Sequence, residues 1–180
     1  MTRLVVNRRV SRAQASQLIS ATRHKKWWII PATLAVAMVL SAIPVGSHWP
    51  TYKPDWVSLV IIYWCFAVPG KIGLGSAWLI GILLDVVSFG VLGRYALSKV
   101  LIVFIAERLS LRVRTFPIWQ QAWLILLLLL AETLMVTLSE VFVGRMHFTY
   151  DRVIASIIGA LLWIPIYFLL RRLRHWARLP

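Results

Sequence analysis

Apolar residues along the chain gather into six long blocks that short polar segments separate. The hydrocarbon core of a bilayer is about 30 Å thick and needs about 20 helical residues to cross it. The predicted spans are Trp28 to Gly46, Trp56 to Pro69, Ile72 to Leu92, Tyr95 to about Leu111, Ile118 to Val143, and Val153 to Leu170. The pattern therefore predicts an all-α integral membrane protein, a six-helix transmembrane bundle.

The six blocks differ in how strongly they predict a membrane span. The fifth carries an unbroken run of leucine and isoleucine from Leu124 to Leu130, which would not suit a helix with a water-facing side. The second has 14 residues and is short, so it predicts either a tilted helix or a re-entrant segment. The fourth is interrupted by charged residues, Lys99, Glu107 and Arg108.

Composition supports a membrane protein. Apolar residues make up 60% of the chain and charged residues 14%, where soluble domains have about 45–50% and about 25%. This excludes an ordinary soluble domain and a disordered chain. Cys65 is the single cysteine, which excludes a disulfide scaffold.

The net charge of +14 predicts an orientation in the membrane. With the N-terminus inside, fifteen Lys and Arg residues fall in inner segments and four in outer segments, and cytoplasmic loops carry such an excess. We therefore expect a multi-pass membrane protein with a basic cytoplasmic tail at 1–26, a helical domain at 27–170 and a second cytoplasmic tail at 171–180. A charge distributed in this way does not favour nucleic-acid binding. The first tail is expected to lie near anionic lipid, and partner binding is the alternative.

The sequence contains little that points to catalysis. The four histidines, at positions 24, 48, 147 and 175, form no metal-ligand spacing, and no phosphate-binding loop or nucleophile elbow is present. We expect no enzyme activity, no cofactor and no metal. A lipid-modifying enzyme would also need a polar cluster at the membrane interface, and the sequence gives no sign of one.

Four ionisable residues are predicted to lie inside the membrane: Asp85, Lys99, Glu132 and Glu140. Each such group costs about 2.5–3.5 kcal/mol even on the mildest scale. Glu132 and Glu140 are about 80° and about 12 Å apart on an ideal helix, so they predict a polar knot that fixes helix register, or else part of an ion path. Asp85 and Lys99 lie at matching depths on adjacent helices and predict an ion pair. In the alternative, Lys99 reaches toward the headgroups and Asp85 accepts a hydrogen bond from a serine or backbone donor.

A stripe of small residues leads to Asp85. Gly73, Ala77, Gly81 and Asp85 are four residues apart, so one helix face carries them all. Small residues let transmembrane helices approach closely. The stripe is a candidate docking face for a partner helix, or a packing face within the chain's own bundle.

A series of short segments follows in a fixed order between about Pro54 and Leu134. They are Asp55-Trp56, Ile62-Tyr63-Trp64, Pro69, the stretch from Gly73 to Asp85, Leu92-Gly93, Ala96-Leu97 and the segment from Pro117 to Ala122, with the basic tail after Leu170. In their order and spacing these segments resemble the rod shape-determining protein MreD family of bacteria.

The resemblance implies a non-catalytic membrane component of the rod-shape (elongation) complex that scaffolds lateral peptidoglycan synthesis. MreC is the most direct partner it implies, with MreB, RodA and a penicillin-binding transpeptidase in the same complex, and self-association is possible. The family is also similar in fold to the substrate-binding subunits of energy-coupling-factor transporters, so a vitamin-like ligand-binding subunit is the alternative. A scaffold should carry an apolar, small-residue groove on its lipid-facing flank, and a binding subunit a pocket with convergent polar side chains.

The charge distribution generates a topological prediction. Reporter fusions at Lys26 and Pro180 should both report the cytoplasm, and a fusion at Met146 the outside. An external C-terminus would contradict the prediction and would mean that the second or the fourth block does not cross the membrane.

Overall fold

The computed structural model of the chain describes residues 27–43, 52–89, 92–113, 115–144 and 150–177. These residues form six helices and no strand: α1 (Ile29–Ala42), α2 (Trp56–Ala67), α3 (Leu74–Val87), α4 (Arg94–Val113), α5 (Ile118–Phe142) and α6 (Tyr150–Trp176). The prediction of an all-helical chain with six helices is confirmed. The predicted N-terminal tail, 1–26, lies outside the described residues.

Local sequence sets several helix ends. Asp55 caps α2, because its Oδ1 accepts a hydrogen bond from the backbone N–H of Ser58 at 3.0 Å. Pro117 precedes α5, where its missing N–H costs nothing. Helix α6 runs six residues past the predicted span end at Leu170, so part of the predicted C-terminal tail continues that helix.

Four helices form the centre of the molecule. Helix α2 packs against α4 and α6, and α5 packs against the same two helices, which closes a ring. Helix α1 packs on α2 from outside the ring, and α3 packs on α4. All residues of α2 except the first are buried.

Helices α5 and α6 are long and apolar enough to cross a membrane, with 25 and 27 residues. At a rise of about 1.5 Å per residue they extend about 37 and 40 Å, so their ends pass beyond the hydrocarbon core. Helices α1, α2 and α3 are apolar but shorter, with 14, 12 and 14 residues. The burial of α2 accounts for its length, because its ends are shielded by neighbouring helices and need not reach the membrane surface.

The small-residue stripe meets helix α4. A Cβ placed on Gly81 would lie 2.3 Å from Cα of Ala96, so only glycine permits this backbone approach. Ala77 and Asp85 are buried on the same face. Gly73 lies just before α3 and is exposed, with no atom within 4 Å of a Cβ placed there. The middle of the stripe is therefore a contact within the chain, and docking of a partner helix on this face stays a prediction.

The Gly81 contact generates a stability prediction. Gly81→Ala should destabilise the protein by about 1–3 kcal/mol or more, because overpacking here pushes two backbones apart. The measurement is the unfolding temperature in detergent together with abundance in the membrane.

Gly75→Ala is the matched control, since Gly75 lies on the same helix with open space around its Cβ position. Equal unfolding temperatures for the two variants would contradict the close contact.

Candidate functional site: a buried ion network at one end of the bundle

A fully buried lysine lies where three helices meet. Nζ of Lys99, on α4, donates hydrogen bonds to Asp55 at the start of α2, to Ser58 on α2 and to Glu132 on α5. The lysine side chain has no exposed surface, and that of Glu132 is 6% exposed. An unpaired ammonium at this depth would carry a large desolvation cost. The three oxygen acceptors offset that cost and so allow the lysine to be buried.

The network also closes on itself. Ser58 Oγ donates to Glu132 Oε2 at 2.6 Å, so both oxygens of this carboxylate accept a hydrogen bond. Asp55 uses one oxygen for Lys99 and the other for the N–H of Ser58. The four side chains thus join α2, α4 and α5 through polar contacts with fixed geometry.

A second ion cluster lies nearer the end of the bundle, at Glu140 near the end of α5. Its carboxylate accepts from Arg152 at 2.7 and 2.8 Å, in the bidentate arrangement that favours strong pairing. Arg94, at the start of α4, also pairs with Glu140. This cluster joins α4, α5 and α6, so the two networks together connect all four helices of the central ring.

The predicted ion pair between Asp85 and Lys99 is wrong. Asp85 accepts hydrogen bonds from the backbone N–H groups of Gly93, Tyr95 and Ala96 at 2.9, 2.9 and 3.3 Å. These donors lie at the N-terminus of α4, where a helix leaves its N–H groups without internal partners. A carboxylate there is also favoured by the helix dipole. Asp85 therefore acts as a cap contributed by the preceding helix, which is the backbone-donor alternative.

Sequence reasoning missed four members of these networks: Asp55, Ser58, Arg94 and Arg152. Their signal was available. Asp55 and Arg152 lie at the edges of predicted spans. Because more than one carboxylate is predicted at a depth similar to that of Lys99, each of them has to be considered as its partner. Matching depth alone selected Asp85, which lies on a neighbouring helix and faces the backbone of α4 instead of the Lys99 side chain.

Glu132 and Glu140 were predicted to be neighbours on one helix, serving a polar knot or an ion path. Each carboxylate lies in its own cluster, and both tie helices together. Between the clusters lies a cavity of about 350 Å³, lined by charged, polar and apolar side chains from α4, α5, α6 and the segment before α2. These include Lys53, Asp55, Glu132 and Arg152. The role in an ion path stays a prediction.

Further concave surfaces lie among the described residues. An apolar groove of about 380 Å³ lies between α1 and α6, with α2 as its floor. A cavity of about 450 Å³ at the opposite end from the ion network is lined by basic and aromatic side chains of α2 and α6. Within the described part of the chain, no group of three or more His, Cys, Asp or Glu residues is arranged to hold a metal ion.

Comparison with known proteins gives a consistent assignment. The family model described as rod shape-determining protein MreD matches residues 22–173. The chain belongs to the MreD family. A curated relative, the rod shape-determining protein MreD of Haemophilus influenzae (strain ATCC 51907 / DSM 11121 / KW20 / Rd), is 27% identical over 154 residues, which cover 86% of this chain and 95% of the relative. No solved structure matches significantly.

Membership of the MreD family confirms the resemblance inferred from the sequence. Two long apolar helices fit the membrane location expected of an MreD protein. The likeness in fold to transporter substrate-binding subunits stays a prediction.

The buried network generates a mutant-cycle prediction. Lys99→Met should destabilise the protein by about 3–5 kcal/mol, because it leaves the buried carboxylate of Glu132 and the partly exposed carboxylate of Asp55 without their cation. Adding Glu132→Gln should recover part of the loss, since one of those charges is then removed. The measurement is the unfolding temperature and membrane abundance of the single and double variants.

Asp85→Asn provides the comparison. Its effect should add to that of Lys99→Met, because the two side chains share no hydrogen-bond partner. Recovery in the Asp85→Asn, Lys99→Met double variant, without recovery in the Glu132→Gln one, would overturn the network.

Proposed function

We propose that this chain is a non-catalytic inner-membrane component of the bacterial rod-shape (elongation) complex, and that it holds MreC beside the lateral peptidoglycan synthesis machinery. Membership of the MreD family supports the role in rod shape. The single observation that supports scaffolding is the apolar groove between α1 and α6. MreB, RodA and a penicillin-binding transpeptidase are the further members of the same complex.

The groove has the chemistry of a helix-docking surface. Its walls are aliphatic and aromatic, and small residues such as Ala32 and Ala37 lie on the α1 side. The hydroxyl of Thr33 in the groove is turned inward. Its Oγ1 donates a hydrogen bond to the carbonyl of Ile29 at 2.9 Å and accepts one from Trp64 Nε1 at 2.9 Å. A helix without polar groups is therefore the occupant that the walls suit.

The groove runs along about two thirds of the thickness of a hydrocarbon core of about 30 Å. It extends along α1, which is about 21 Å long at about 1.5 Å per residue, and it is bordered by Trp176 at one end and Trp56 at the other. We propose that the occupant is a single apolar transmembrane helix of MreC. Close van der Waals packing on small residues would supply the affinity, as is usual between helices in lipid.

The proposed orientation places the ion network at the outer end. Asp55, Arg94 and Arg152 begin helices at that end, while Lys71 and Arg171 lie at the opposite, cytoplasmic end. The excess of basic residues in the predicted inner segments supports this orientation, in which both termini are cytoplasmic.

The groove generates a binding prediction. Ala32→Phe should reduce the recovery of MreC in a detergent pull-down at least severalfold and should round the cells, because Ala32 is exposed on the groove wall and a ring there would occupy the space of the partner helix.

Ala35→Phe is the matched control, since Ala35 is exposed on the same helix but does not line the groove. Wild-type recovery of MreC with Ala32→Phe, or equal losses in both variants, would overturn the docking site.

The second candidate function is that of a small-molecule binding subunit of a transporter, and the cavity between the two ion clusters favours it. Its volume of about 350 Å³ is in the range of ligand pockets. Lys53, Asp55, Glu132 and Arg152 bring both charge signs to it, which suits a polar or zwitterionic ligand. The same pull-down distinguishes the two functions: recovery of a transporter ATPase module without MreC would replace the first proposal with the second.

A further inference from the structure

The cavity at the cytoplasmic end of the bundle collects basic side chains. It has a volume of about 450 Å³ and lies among the end of α2, the end of α4, the start of α5 and the end of α6. Arg171, Arg174 and His175, from the last turns of α6, all line it. None of the described residues that line it is acidic.

The opposite end of the bundle provides the contrast. There, Lys99 has two carboxylate partners, and Arg94 and Arg152 share Glu140. The cations of that end are neutralised by carboxylates of the chain itself. At the cytoplasmic end the described lining of the cavity holds two guanidinium groups and no acidic side chain, so the electrostatic potential inside it favours an anion.

Hydrogen-bonding groups accompany the cations. Tyr63 and Tyr167 line the cavity beside the two arginines. Gln121 also lines it, and its Nε2 donates to the carbonyls of Val113 and Phe116, both at 3.1 Å. That amide covers one carbonyl at the end of α4 and one in the following loop, which would otherwise repel an anion. Basic residues at a helix C-terminus complement the helix dipole. That role alone does not require the basic side chains to line one common cavity.

The position of the cavity suits a lipid headgroup. Helix α6 is about 40 Å long at about 1.5 Å per residue, which is longer than a hydrocarbon core of about 30 Å, so its last turns reach the headgroup region. Basic pockets between helices on the cytoplasmic side are known to bind anionic headgroups. Arginine pairs with two phosphate oxygens at once.

We propose that this cavity is a binding site for a phosphate monoester or diester anion, presented by an anionic phospholipid of the cytoplasmic leaflet. Arg171 and Arg174 hold the phosphate oxygens, and the tyrosine hydroxyls supply further donors. The acyl chains leave the cavity along the apolar surface of α6. The site is independent of the groove proposed for MreC.

The test measures lipid-dependent stability of the purified full chain in neutral detergent. Three probes are compared by the rise in unfolding temperature with concentration: dihexanoyl phosphatidylglycerol, dihexanoyl phosphatidylcholine and inorganic phosphate. Phosphatidylglycerol should stabilise the protein with an apparent affinity at least tenfold above that of phosphatidylcholine, whose choline group cancels the phosphate charge. Equal stabilisation by the two lipids would overturn the proposal.

Inorganic phosphate identifies the source of the anion. Protection by phosphate as strong as that by phosphatidylglycerol supports an anion site that a soluble phosphate also fills. Protection by the lipid alone supports a headgroup site in which the acyl chains contribute.

Neighbouring arginines supply matched variants. Arg171→Gln should weaken phosphatidylglycerol binding at least tenfold, whereas Arg172→Gln, equally exposed but outside the cavity, should weaken it by no more than about fivefold, the factor for one basic residue near an anionic surface. Equal losses would mean unspecific attraction and would overturn the site. Arg174→Lys, which keeps the charge but loses the bidentate geometry, should retain weaker binding. Unfolding temperatures without lipid check that each variant is folded.

Discussion

The burial of Lys99 is the constraint on which the rest of the bundle depends. An ammonium with no exposed surface must be given acceptors, and here they come from α2 and α5 while the lysine comes from α4. The positions of these helices cannot change independently without leaving a charge unpaired, which costs about 3–5 kcal/mol. In lipid, where apolar helices gain little by exchanging lipid contacts for one another, such directional contacts give the ring a unique register.

The second cluster extends the same constraint to α6. Arg94 and Arg152 hold Glu140 between α4 and α6, about two turns of α5 beyond Glu132. Asp85 then fixes α3 by capping α4, next to the close backbone contact at Gly81. In five of the six helices, a hydrogen bond or ion pair to a carboxylate therefore fixes the position relative to a neighbouring helix. Helix α1 is the exception: its principal contacts are with α2, and Trp64 Nε1 donates a hydrogen bond to Thr33 Oγ1 across the two helices.

Much of the fold was predictable because the bilayer imposes strong rules on sequence. The apolar blocks correspond to six helices, and the uncertain second block is the buried central helix, whose length the bilayer does not dictate. The site was less predictable. The depth of a residue in the membrane follows from counting residues along its helix. Whether Lys99 pairs with Asp55 and Glu132 or with Asp85 depends on how the helices are rotated about their axes and on which helices are neighbours. Neither can be read from Lys99 and its sequence neighbours, since an apolar span gives little indication of which face is buried.

This arrangement explains how a groove can exist beside a rigid ring. The groove has α6 as one wall and α2 as its floor, and both are held by the ion clusters, so these surfaces are preformed and the proposed docking of a helix would cost little conformational entropy there. The other wall, α1, belongs to no cluster among the described residues. It is held by its packing against α2, by the hydrogen bond from Trp64 to Thr33, and at its C-terminal end by Lys53, whose Nζ donates to the carbonyls of Ser41 and Ile43 at 2.6 and 2.7 Å. The two clusters and the α1 wall are therefore fixed by separate contacts, so a change in one wall of the groove need not break the ion pairs that hold the other.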